Sequence, residues 1–255
     1  MSVLILECAV RTDVGRVRKN NEDSAFATSR LAAVADGVGG HAAGEVASRA
    51  AIDVLAVLEK SWLSEPLTAA LGDAVQACNE RIGFIASCRP DFEGMSTTLT
   101  AVALDEEYVV ANIGDSRTYL LRDGELSQLT RDDSYLQMLI ESGVVDPEQA
   151  RRHPQRNVVL RALDGGPDRL PTLTTHPARA GDRLLLCSDG LSDVLDAETI
   201  RETLATEPRD RCAELLVEMA LDGGARDNVT AVVADAVATD GPASAWRPGT
   251  APAGG

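Results

Sequence analysis

Four apolar runs in this chain meet an aspartate: AAVADG at Asp36, VVANIGDSR at Asp115, LLLCSDG at Asp189 and GARDNVTAVVA at Asp227. Short apolar runs bounded by turn signals read as buried strands. A carboxylate at the tip of such a strand is aimed in a fixed direction. The first three runs enter their aspartate and the fourth leaves it. If the fourth strand lies antiparallel to one of the others, its start sits beside that neighbour's end, and all four carboxylates meet at one rim. Two unit charges 4 Å apart repel by about 4 kcal/mol at an effective dielectric near 20, so the rim needs protons, basic partners or cations. Carboxylate oxygens suit Mg²⁺ or Mn²⁺ better than zinc. Asp-Gly, present at Asp36 and Asp189, is also an ordinary turn dipeptide. On spacing alone, a set of turns and an oxygen-ligand metal site both stay open.

A second constellation lies upstream, in TDVGRVRKNNEDSAF. Arg18 precedes the Glu22-Asp23 pair just ahead of a strand. One reading is a solvated, charged loop. The other is a phosphate site, in which the rigid guanidinium fork of Arg18 holds a phosphoryl group bidentately and Glu22 helps to fix a metal's water shell.

The elements that must position these groups are legible in outline. β-type runs fall at 3–10, 24–35, 96–104, 107–113, 117–122, 183–188 and 229–236. Helical periodicity falls at 43–60, 66–87, 133–142, 147–152, 196–204 and 208–221. The strands arrive as hairpin-like neighbours, such as EYVVANIGDSRTYLLRDGELSQL with an Asp123-Gly124 turn. That order predicts antiparallel sheets covered by helices rather than a doubly wound parallel sheet. Residues 131–166 form a polar excursion between strands, expected to be a mobile flap. From 237 to 255 the chain is rich in Ala, Pro and Gly and is expected to be a disordered tail.

Composition narrows the partners. The chain has 255 residues and a net charge of −16, and only 3% of it is aromatic. A negative surface with few stacking rings argues against nucleic acid and anionic membranes. No apolar run reaches the ~20 residues of a membrane span. The start, MSVLILECAVR, lacks the basic region and cleavage site of a signal peptide. Most of the five cysteines read as small buried hydrophobes, in a cytoplasmic protein. No cysteine is followed six residues later by arginine, and no Walker-type loop is present, which disfavours cysteine phosphatase and NTPase chemistry. His153 and His176 read as structural.

With RKNNEDS, ADGVGGHAAGE, GDSR, CSDGLSD and RDNVT in that order, residues 5–236 resemble the metal-dependent type 2C serine/threonine protein phosphatases, in their compact bacterial branch. The resemblance implies an α+β, four-layer α-β-β-α sandwich: two central antiparallel sheets flanked by helices, with the catalytic domain over 1–236. It implies a cleft holding two Mn²⁺ or Mg²⁺ ions, with Asp36 bridging them, the Gly37 carbonyl completing one site, and Asp189 and Asp227 holding the other ion. Asp115 with Asp189 would form a third, weaker site. Arg18 would grip the substrate phosphate, while Glu22, Asp23 and Asp193 would act through metal-bound waters. The reaction implied is hydrolysis of phosphoserine and phosphothreonine in proteins by a hydroxide bridging the two ions. Eukaryotic relatives read Asp-Gly-His, with that histidine a proposed general acid. Here the position is Val38; His41 lies nearby as a candidate proton donor, but the motif assigns it no role, and the alternatives are a structural part for His41 and a metal-bound water as the donor. The implied partners are phosphorylated proteins and an opposing serine/threonine kinase, in monomeric, cytoplasmic signalling. The competing reading is a catalytically silent or specialised module that binds phosphoproteins in a kinase or sigma-factor partner-switching pathway.

Overall fold

Alternate residues of the central strands face two different cores, which is why their sequences are apolar almost throughout. In the strand Leu31–Val38, Leu31, Ala33 and Ala35 pack beneath helices, while Ala32 and Val34 face a second sheet. In the strand Arg183–Cys187, Leu185 and Cys187 face helices, and Leu184 and Leu186 face the other sheet. A strand buried on both faces loses its polar alternation, because neither side meets water.

The computed structural model describes residues 3–38, 43–59, 66–146, 153, 155, 157–167 and 169–239. The strands are β1 (Val3–Asp13), β2 (Asp23–Ala27), β3 (Leu31–Val38), β4 (Ser96–Thr97), β5 (Leu99–Leu104), β6 (Glu107–Ile113), β7 (Arg117–Arg122), β8 (Glu125–Gln128), β9 (Thr172–Pro177), β10 (Arg183–Cys187) and β11 (Val229–Thr239). The helices are α1 (Gly44–Leu58), α2 (Leu67–Cys88), α3 (Tyr135–Glu141), the single turn α4 (Asp189–Ser192), α5 (Ala197–Thr206) and α6 (Arg209–Asp222). One sheet runs β1-β11-β10-β7-β8 and the other β2-β3-β5-β6-β9, with β4 paired to β3. The pairings are antiparallel. Helices α1 and α2 cover the second sheet, and α5 and α6 cover the first. Leu6, Val34, Val102, Val110, Leu184 and Val232 fill the space between the sheets. The four-layer sandwich is therefore the observed architecture. Each fully buried Leu or Val contributes about 1.5–3 kcal/mol by leaving water.

Several boundaries differ from the sequence reading. The run expected at 24–35 is a hairpin, β2 and β3, folded at Thr28, whose hydroxyl accepts from Arg30 N and Leu31 N. Strand β9 went unforeseen because TLTTHP is polar and only half-buried. Strand β11 runs on to Thr239, where Ala238 and Thr239 pair with Leu4 and Val3, so the tail expected from 237 starts inside the sheet. The rest of that tail, 240–255, and the helix expected at 147–152 lie outside the described residues.

The excursion at 131–166 is stitched to the core at its far end. Leu163 is fully buried and exchanges two backbone hydrogen bonds with Thr97. The Asn79 side chain on α2 bonds Gly165 N and Gly166 O, both at 2.8–2.9 Å. The far end of the excursion is thus tied to α2 and β4. No described helix is long and apolar enough to cross a membrane.

Candidate metal centre

Antiparallel pairing does what the spacing required. Cys187 near the end of β10 pairs with Ala231 near the start of β11, which brings Asp189 and Asp227 to the same edge. Cys187 also pairs with Arg117 at the start of β7, two residues beyond Asp115. On the other sheet, Asp36 sits directly across from Asp23 in the β2–β3 ladder.

The glycines that follow the aspartates turn out to provide room rather than a turn. A Cβ on Gly190 would lie 2.0 Å from the carbonyl oxygen of Asn228, and one on Gly37 would lie 2.4 Å from the Gly44 carbonyl carbon. Neither glycine has a positive φ. The backbone behind each carboxylate packs too closely for any side chain, which fixes where Asp36 and Asp189 stand.

Burial and mutual repulsion dominate the electrostatics. Asp36 is pushed well above the usual carboxylate range, first by burial and then by Asp23, Asp189, Asp115 and Asp227. Asp189 is raised in the same way, by burial and then by Asp115, Asp193, Asp227 and Asp23. Asp115 is buried and pushed up to about 7, by burial and then by Asp132 and Asp193. Asp23 rises to about 6, chiefly by burial, although Ser188 Oγ donates to its Oδ2 at 2.8 Å. Glu22 is also raised, by burial and then by Glu45. One cation facing this cluster is Arg18, half-exposed, whose Nη2 donates to Asp227 Oδ2 at 2.7 Å.

Two oxygens carry the test of whether cations fit. Asp189 Oδ1 and Asp23 Oδ1 are walled off from solvent and have no hydrogen-bond partner among the described residues. An ionised oxygen left so costs several kcal/mol unless it is protonated or meets a cation. Among the described residues, no three His, Cys, Asp or Glu side chains close on one point as a ready cage. Mg²⁺-type ions need none, because they keep several waters and take one or two carboxylates each. The donors present fit such ions.

Four polar residues hold the site, and the sequence reading assigned none of them a role. Asn228 stitches the 14–22 segment to the start of β11: its Nδ2 donates to Val14 O and Asn20 O, each at 2.9 Å, and its Oδ1 accepts from Glu22 N at 2.8 Å. Ser188 bridges Asp23 and Thr230 N. Thr97 Oγ1 and Thr98 N donate to the Asp36 carbonyl. The signal for Asn228 was available, since it stands inside RDNVT, but a neutral amide next to a carboxylate draws less notice. Cys187, two residues from Asp189, is fully buried and its thiol is pushed up to about 12 by burial, so it is no nucleophile. His41 lies outside the described residues, and Asp193 is exposed at the cleft.

Comparison with known proteins decides what this geometry belongs to: the family model described as protein phosphatase 2C matches residues 16–235. The chain belongs to that family. Among protein phosphatase 2C relatives, it is 52% identical over 238 residues to the serine/threonine protein phosphatase PstP of Mycobacterium tuberculosis, covering 93% of this chain and 46% of that protein. It is 35% identical to the serine/threonine phosphatase Stp of Listeria monocytogenes, over 88% of this chain and 94% of the relative. The chain thus spans just under half the length of the mycobacterial relative. A solved structure of the PstP catalytic domain in complex with two manganese ions superposes with a TM-score of 0.86 at 51% identity, covering 92% of this chain and 99% of that one. The fold and family implied by the ordered motifs are therefore correct.

Proposed function

We propose that this protein phosphatase 2C chain hydrolyses phosphoserine and phosphothreonine in proteins with Mn²⁺ or Mg²⁺. The observation that carries the proposal is Asp189: one of its oxygens is shielded and has no partner among the described residues, and it faces Asp115, Asp193, Asp227 and Asp23. Asp36 with the Gly37 carbonyl, and Asp189 with Asp227, would hold two ions, and Asp115 with Asp189 a third and weaker one. Such ions cancel the negative field, so that a phosphate dianion can approach, and supply an acidified water for in-line attack.

The chain's own residues do the rest. Arg18 orients the phosphate and neutralises its equatorial oxygens, where charge persists in a loose transition state. Its bond to Asp227 ties this cation to the metal-holding carboxylates. Glu22, Asp23 and Asp193 would act through waters bound to the ions rather than as direct ligands. With Val38 in place of a histidine, His41 is the proposed donor of a proton to the departing serine or threonine oxygen. In this reading the partners are phosphoproteins and an opposing serine/threonine kinase, and the enzyme is a cytoplasmic signalling monomer.

The test is an assay of EDTA-stripped protein on phosphoserine, phosphothreonine and phosphotyrosine peptides, with and without Mn²⁺. Turnover should appear only with the ion and favour the two aliphatic phosphoesters. Turnover that survives stripping, or none with Mn²⁺, would refute the proposal.

A further inference from the structure

The chain carries 40 acidic and 24 basic residues, so an arginine without a carboxylate is unusual in it. Among the described residues, the other arginines each have an acidic or ring partner. Arg226 has none among those residues and is exposed. It stands one residue before Asp227 and lines the same cleft as Arg18, Asp189 and Asp227.

Its backbone is fixed on both sides. Ala225 is fully buried, donates to Ala220 O at 2.9 Å and accepts from Arg16 N at 3.0 Å. Two residues later, Asn228 makes the three side-chain bonds described above. The nearest acid in sequence, Asp227, is occupied by Arg18 and by Asn228 N. Arg226 is thus presented at the cleft on a rigid base, with no ion pair to any described residue. Space is open beside it: a Cβ on Gly224 would meet nothing within 4 Å. The cleft measures about 550 Å³, within the range that takes a sizeable ligand and far beyond one phosphoryl group. It has room for residues flanking the phosphorylated one.

We infer that Arg226 is a specificity-determining residue that grips a second oxyanion of the substrate, a carboxylate or another phosphoryl group close in sequence to the phosphoserine or phosphothreonine being hydrolysed. The inference rests on the phosphatase reading above. A guanidinium holds either oxyanion bidentately. In an acidic protein, such a contact also lets an acidic peptide approach that the net field would otherwise repel.

The experiment compares kcat/KM, with Mn²⁺, on three phosphoserine peptides: one with neutral flanks, one with flanking aspartates, and one with a flanking non-hydrolysable phosphonate. Wild type should favour one or both acidic peptides by about tenfold, equivalent to about 1.4 kcal/mol. Whichever peptide is favoured names the source of the oxyanion. Arg226→Ala should bring the ratio near one, and Arg226→Glu should take it below one. The ratio within one preparation does not depend on the fraction folded. Equal kcat/KM on all three peptides in wild type, or a preference that survives in Arg226→Ala, would overturn the inference. Failure of wild type to hydrolyse any of them would instead refute the phosphatase reading.

Discussion

Strand β10 has an aspartate at each end, and the protein treats the two in opposite ways. Just before it, Asp182 is buried, with its side chain only 1% exposed. It receives Arg122 Nε and Nη2 at 2.7 and 2.6 Å, Tyr108 OH at 2.9 Å and Arg179 N at 2.8 Å. Burial pushes Asp182 up, but these bonds outweigh it and its carboxyl ends below the ordinary range. Just beyond the strand, Asp189 is held by burial and four acidic neighbours well above that range, with an oxygen that nothing among the described residues satisfies. Arg117 and Asp132, and likewise Arg183 and Asp235, are also joined by guanidinium–carboxylate bonds. Asp23, Asp36 and Asp115 are raised as Asp189 is, chiefly by burial. The chain is rich enough in arginine to pair its buried acids, so the unpaired ones mark the place where charge comes from outside.

The sharpest way to break this contrast is to neutralise one acid of each kind. Asp36→Asn or Asp189→Asn should lower Mn²⁺-dependent turnover of an aryl phosphate by about three decades, since several kcal/mol of transition-state charge stabilisation goes at about 1.4 kcal/mol per decade. The melting temperature of the metal-free protein should stay level or rise, because a like-charge contact is removed. Asp182→Asn should do the reverse. Leaving Arg122 half-matched at a buried site should cost about 3 kcal/mol of stability, while kcat of the folded fraction is unchanged. Calorimetry alongside the assay separates the two, and equal effects of both substitutions on turnover would erase the distinction.

Arg18→Ala sharpens the contrast from the cationic side. Because Arg18 serves both Asp227 and the phosphate in this account, KM for a phosphoprotein should rise about tenfold, with a smaller change in kcat. An unchanged KM would remove Arg18 from the phosphate site.

The smallest effect is on pH. Asp182, lowered when folded, contributes stability that is present above its unfolded pKa and lost as pH falls through its folded one. Asp23 and Asp115, raised to about 6 and about 7, bind protons more tightly when folded. Their contribution is present below the unfolded value near 4 and is lost as pH rises to about 7. Mn²⁺ can replace those protons, so the rise in melting temperature on adding Mn²⁺ should grow between pH 4 and 7. The same rise at pH 5 and pH 8 would speak against it.

Much of this contrast is legible in the amino-acid sequence. The apolar runs ending at Asp36 and Asp189, and the one starting at Asp227, mark the strand tips. Their convergence needs only the antiparallel pairing that the hairpin order implies. Strand order across two sheets is not legible, because nothing local says that β11 enters between β1 and β10. The role of the glycines is easily misread, since Asp-Gly looks the same whether glycine provides a turn or, as with Gly37 and Gly190, lets a neighbouring carbonyl approach. Asn228 and Ser188 escape notice because their partners lie some 42 to 214 residues away in sequence. The arginine partners of Asp182 and Asp132 escape for a related reason: ion pairs across strands leave no motif.

The most direct test of the central claim is an anomalous diffraction map of crystals grown with Mn²⁺. Two strong peaks per chain should lie among the carboxylate oxygens of Asp36, Asp189 and Asp227, with none beside Asp182. A map without peaks at those three aspartates, in crystals equilibrated with the ion, would contradict the account.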